Sequence, residues 1–156
     1  MEENTLRSLI DTIVKEVAPR DITLSEAQAL SAQIRSKARE MGVNAVVAIS
    51  NSAGHPVLVE CMDDAYIASY DVALQKAFTV VSLKMSTSTL KPLAQPGGSL
   101  YGIQFTNNGK IVIFGGGEPL CSGDKIIGGL GVSGGSEEQD TALAAYGKQL
   151  FEKGGK

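Results

Sequence analysis

The chain has 156 residues, a formal charge of −3, two cysteines, one histidine, no tryptophan and 5% aromatic residues. That length predicts one domain over residues 1–156, able to bury roughly two thirds of its unfolded surface without disulfides or a structural metal. Scattered Lys and Arg exclude nucleic acid as a partner, no apolar run reaches the ~18 residues of a membrane span, and one histidine with two distant thiols excludes a closed zinc site.

Leu6, Leu9, Ile10, Ile13, Val14 and Val17 recur at helical spacing and predict an amphipathic first helix stopped by Pro19. Thr23-Leu24-Ser25-Glu26 is a capping-box pattern. It opens a second helix that turns Ala27, Leu30, Ile34, Ala38 and Met41 inward and ends at Gly42. Two strands, 44–50 and 57–61, read as a hairpin turned by Gly54. Asp64 is expected to cap an alanine-rich helix to about Leu83, with Ala68, Val72, Ala73, Ala77, Val80 and Val81 buried and Lys76 a surface lysine at its edge.

A long loop through Ser86–Thr89, Pro92, Pro96, Gly97 and Gly98 follows. Strands 101–106 and 110–114 are expected to flank an Asn107-Asn108-Gly109 hairpin turn. A strand over 125–132 and a last helix from about Glu137 to Glu152 precede the Gly154-Gly155-Lys156 tail. The order ααββαβββα predicts an α+β fold in which helices cover a five-stranded, mainly antiparallel sheet.

Glycines concentrate between Phe114 and Gly135, marking positive φ or close approach of backbone to a neighbour or a ligand. Gly129-Leu130-Gly131-Val132-Ser133-Gly134 fits G-x-G-x-x-G, but no later strand with an acidic residue follows to hold a ribose. Gly131-Val132-Ser133-Gly134-Gly135 fits G-x-S-x-G, but the one histidine, His55, precedes the serine instead of following it. Glu137, Glu138 and Asp140 already place carboxylates at the last helix start, which disfavours a phosphate there. His55 is either an exposed turn residue or lines a pocket as a metal or haem ligand or as a proton donor. Cys61 and Cys121 read as packed, free thiols of a cytoplasmic protein.

Taken in order, Gly54-His55-Pro56-Val57, Met62-Asp63, Lys76-Ala77-Phe78-Thr79, Gly116-Gly117-Glu118-Pro119-Leu120, Gly131–Gly135, Gln139-Asp140 and Ala144-Ala145-Tyr146-Gly147 resemble the GlcG/HbpS/PduO-C-terminal family of small haem-binding or haem-degrading proteins. The resemblance covers residues 25–150. It implies a profilin-like three-layer α/β/α arrangement and a homo-oligomer with a pocket near subunit contacts. Its implied role is accessory to glycolate, glycerol or propanediol catabolism. Where the family often has Arg-Met-Asp-Gly-Ala, this chain has Cys61-Met62-Asp63-Asp64-Ala65, so a rigid guanidinium suited to propionates is absent there. Together these readings give a small-molecule binder with haem or a related tetrapyrrole as ligand. Its expected site is His55, Asp63 and Gly116, Gly117, Glu118 and Pro119, with Ser133 and Gly134 as floor. An enzyme using His55, Asp63 or Ser133 in acid–base chemistry and a purely structural oligomeric subunit are the alternatives.

Overall fold

The computed structural model describes residues 3–17 and 20–154. Pro19 and the last two residues of the tail lie outside them. Five α-helices and four strands are described: α1 (Glu3–Val17), α2 (Leu24–Glu40), β1 (Val46–Asn51), β2 (Pro56–Cys61), α3 (Ile67–Leu83), α4 (Thr87–Leu93), β3 (Gly117–Ser122), β4 (Lys125–Ser133) and α5 (Glu137–Gly154). The fold is α+β, and its sheet runs β2-β1-β4-β3 with every pairing antiparallel.

Side chains alternate across β1, and each face meets different helices. Val47 and Ile49 point with Leu130 and Val132 into a core closed by Ala27, Leu30 and Ile34 of α2 and Leu143 and Ala144 of α5. Val46 and Ala48 point the other way, against Ala73 and Ala77 of α3. The capping box at α2 forms as expected: Glu26 N–H donates to Thr23 Oγ1 at 3.1 Å, and Thr23 N–H donates to Glu26 Oε2 at 2.8 Å. Gly42 (φ +69°) follows α2, and Gly54 (φ +79°) turns the β1–β2 hairpin.

Several expectations are corrected. The sheet has four strands, not five. Residues 101–106 and 110–114 form no strands: Ile103–Phe105 and Asn107–Gly109 are 3-10 turns, with Asn107 and Asn108 both left-handed at φ +51° and +55°. Two consecutive left-handed residues also suit a two-residue hairpin, but the segments on either side of them pair with no strand. A strand was instead hidden in Gly117–Ser122. It carries Pro119, tolerated because β3 is an edge strand bonded on one side only.

The supposed loop at Ser86–Thr89 begins α4, whose N-cap Ser86 accepts from Thr89 N–H at 3.1 Å. Asp64 does not cap α3. It sits at φ +63°, and Tyr66 takes the N-cap position without a side-chain bond. On α3, Ala68 is exposed and Val72 half-buried, while Lys76 is wholly buried.

Candidate functional site

The glycine segment is consumed by the protein itself. A Cβ on Gly131 would collide with the Ala73 carbonyl and one on Gly129 with the Ala77 carbonyl, so α3 lies directly on the bare backbone of β4. A Cβ on Gly117 would lie 2.8 Å from Thr87 Cγ2, and one on Gly116 would lie 2.6 Å from Lys76 Nζ. The amides there are also taken. Gly117 N–H donates to Thr87 Oγ1 at 2.9 Å, Gly115 N–H to Glu137 Oε1 at 3.0 Å, and Gly135 N–H to Asp140 Oδ1 at 2.8 Å. The start of α5 is thus occupied by its own carboxylates, as the charge pattern implies.

Beneath that loop lies a buried ion pair. Lys76 has no exposed surface, and Asp140 of α5 is 4% exposed. Lys76 Nζ donates to Val132 O at 2.7 Å and to Asp140 Oδ2 at 3.3 Å, and it lies 5.2 Å from the centre of the Phe114 ring. Burial pulls the Lys76 ammonium down from its ordinary range, and Asp140 opposes the shift. Burial likewise pushes the Asp140 carboxyl up, against the Gly135 amide and Lys76. The pair ties α3, β4, α5 and the loop before β3 into one unit.

The proposed site residues do not converge. Val46 pairs with Ser133 and Asn51 with Gly128, so Ser133 and the turn carrying His55 lie at opposite ends of β1, roughly 17 Å apart at ~3.3 Å per residue. Ser133 is 7% exposed, and its hydroxyl donates to Ser69 Oγ at 3.2 Å. Glu118 and Pro119 are on the edge strand beside α5, where Lys148 Nζ donates to Pro119 O at 2.9 Å and burial pushes the Glu118 carboxyl up. A histidine flanked by Asp63 and Asp64 does not exist: the length of β2 separates them.

Two surface places remain. At the Ser133 end, Arg35, Arg39, Asn44, Glu60, Asp63 and Asp64 line a polar cavity of about 590 Å³. A neighbouring cavity of about 450 Å³ shares Asn44 and Asp64 and is walled by Tyr66, Gly134, Ser136 and Gln139. Asp63 and Gly134 therefore line two separate cavities that meet at Asn44 and Asp64. Arg35 is engaged there, with Nε 2.7 Å from Glu60 Oε2.

At the other end His55 is exposed, and its imidazole has no hydrogen-bond partner among the described residues. Asn51 Oδ1 accepts the Ala53 and His55 amides at 3.0 Å, which fixes the turn's backbone. A Cβ on Gly54 would lie 2.9 Å from the Phe78 ring, so the turn rests on that side chain; the Lys110 ammonium stands 5.4 Å from the same ring centre. The turn that carries His55 thus rests on an aromatic ring over which a cation stands. Sequence reading missed Phe78 and Lys110, which approach from other elements. It also missed the Lys76–Asp140 pair, although a lysine amid Ala73, Ala77 and Val80 on an apolar face was a signal.

Comparison with known proteins agrees with this architecture. The chain is 42% identical over 130 residues to an uncharacterised 15.0 kDa protein from the dhaT-dhaS intergenic region of Citrobacter freundii, covering 83% of this chain and 92% of that protein. It is 38% identical over 130 residues to the corrinoid adenosyltransferase PduO of Salmonella typhimurium, covering 83% of this chain but only 39% of PduO. The crystal structure of a PduOC–haem complex superposes with a TM-score of 0.80 at 36% identity, covering 83% of this chain and 94% of that one. The family model for haem-degrading, HbpS-like proteins matches residues 22–149, and the chain belongs to that family.

Proposed function

We propose that this protein binds haem or a closely related tetrapyrrole, as a cytoplasmic oligomeric accessory to propanediol or glycerol breakdown. The observation that carries the reading is the similarity, over most of both chains, to a PduOC structure described as a haem complex. The residues at the His55 end suit that ligand. The exposed His55 imidazole would hold the iron, Phe78 would offer an apolar surface and Lys110 a cation for a propionate. When bound, the haem would supply iron for redox chemistry. The chain's own part is to present His55 on a turn whose backbone Asn51 holds rigid.

Free Cys61 and Cys121 accord with a reducing compartment. Among the described residues no helix is long and apolar enough to cross a membrane. Oligomerisation belongs to the same proposal and is supported by exposed Tyr66, Ile67 and Tyr70 at the start of α3.

A second reading, an enzyme for a small polar metabolite, is favoured by the polar cavity lined by Arg35, Arg39, Glu60 and Asp63, where Asp64 has a left-handed backbone. Titration of the purified protein with hemin, with cobalamin in parallel, separates the ligand classes. A saturable shift of the Soret band with hemin alone is expected. An unshifted Soret band overturns the haem reading, and a saturable change with cobalamin alone directs it to corrinoids.

A further inference from the structure

On the face of the sheet that α2 and α5 cover, a cavity of about 270 Å³ opens beside the β3–β4 turn. Its floor is apolar: Leu30 of α2 is 4% exposed, and Leu150 and Phe151 of α5 are half-buried against the same core. The charges at its rim are already matched. Arg20 Nη1 donates to Glu26 Oε2 at 3.1 Å, and Lys148 Nζ holds Glu152 Oε1 at 2.7 Å. The uncharged polar groups are not matched. The Gln33 side-chain amide and the Ser122 hydroxyl have no hydrogen-bond partner among the described residues, and Cys121 is a free thiol.

We propose that this cavity is a second binding site, for a small molecule with an apolar body and one uncharged hydrogen-bonding head, a hydroxyl or an amide. An apolar cavity of about 150 Å³ takes benzene, so this one has room for about ten non-hydrogen atoms. The body would cover Leu150 and Phe151 and take apolar surface out of water. The head would meet Gln33 and Ser122, whose side chains can each donate and accept. An apolar floor with a few polar groups to fix orientation is the usual make-up of a small-ligand pocket.

Size and charge both separate this ligand from haem, which is several times too large for the cavity. A carboxylate or an ammonium would have to part the Arg20–Glu26 or Lys148–Glu152 pair to find a counter-charge, while losing its own hydration. Burial pushes the Cys121 thiol up, so that side of the cavity is also uncharged at neutral pH. The Phe78 ring beneath the His55 turn belongs to α3, which packs on the opposite face of the sheet. The two sites can therefore be filled together.

The test titrates the full-length protein with phenylethyl alcohol, phenylacetate and phenylethylamine, three probes with one apolar body and a neutral, an anionic and a cationic head. In nitrogen–proton NMR spectra the alcohol should shift the Gln33, Ser122 and Gly123 amides saturably, and the charged probes should bind far more weakly. At about ten times its dissociation constant the alcohol should slow iodoacetamide alkylation of Cys121 about tenfold, in step with the fraction of empty sites. Cys61, exposed at the far end of β2, should react at an unchanged rate. Ala29 is exposed at the mouth, so Ala29→Trp should fill the cavity and abolish both effects without lowering the melting temperature. Gln33→Leu, also on the exposed side of α2, should weaken the alcohol severalfold. Equal binding of all three probes would overturn the uncharged head. No saturable shift with any probe, or alcohol binding that survives Ala29→Trp, would overturn the site.

Discussion

Lys76 shows how one residue changes meaning between sequence and structure. On a helix edge a lysine is ordinarily a snorkelling side chain, and nothing local distinguishes this one except its apolar neighbours. Its partner Asp140 is 64 positions away, a distance that no local pattern spans. Removing one member of a buried pair strands the other, at a cost of about 3–5 kcal/mol. Lys76→Met is therefore expected to lower the melting temperature by roughly 10 °C, read by circular dichroism. Asp140→Leu added to Lys76→Met should recover much of the loss, because no charge is then left unpaired. Glu118 argues the reverse case. Burial holds its folded-state pKa above the ordinary value, so its ionisation costs stability as pH rises past that value. Glu118→Gln should raise the melting temperature at pH 7 and have little effect near pH 3.

Among the elements, those specified by neighbouring residues were legible and those specified by distant ones were not. The Thr23–Glu26 box and the hairpin turned at Gly54 depend on a few adjacent side chains, and both stand where the sequence puts them. β3 was invisible because Gly-Glu-Pro-Leu has poor strand propensity and is held by β4 alone. The residues at 101–114 look like strands but pair with none, and form 3-10 turns instead. The glycines of β4 were legible as close approach, but whether a ligand or a helix approached depended on where α3 came to rest. Since α3 lies on them, Gly131→Ala should destabilise by about 3 kcal/mol, because a Cβ there meets the Ala73 backbone, which cannot rotate away. A chemical denaturation midpoint well below wild type is the expected reading, and an unchanged midpoint would refute the packing argument.

At the scale of the molecule, an α+β scaffold pins its two helical faces with buried contacts. The acid response follows from the carboxylates that tie surface elements together. Glu137 is held below its ordinary pKa by Lys91 and the Gly115 amide, and Asp21 by the Ser52 hydroxyl and amide. Depressed folded-state values contribute stability above the unfolded pKa, about 4, that is lost as pH falls through the folded one. Melting temperature should drop between about pH 5 and pH 3, and Glu137→Gln should flatten that slope while lowering the plateau. Of the expected site residues, His55 and Asp63 are both at the surface, and the length of β2, which no local pattern converts into a distance, separates them.

The claim that His55 supplies the iron ligand is tested most directly by replacing the imidazole and then giving it back. Hemin titrated into His55→Gly should fail to produce the wild-type Soret shift, and adding free imidazole should restore it. A His55→Gly protein that takes up hemin with the wild-type spectrum, without imidazole, would contradict the account.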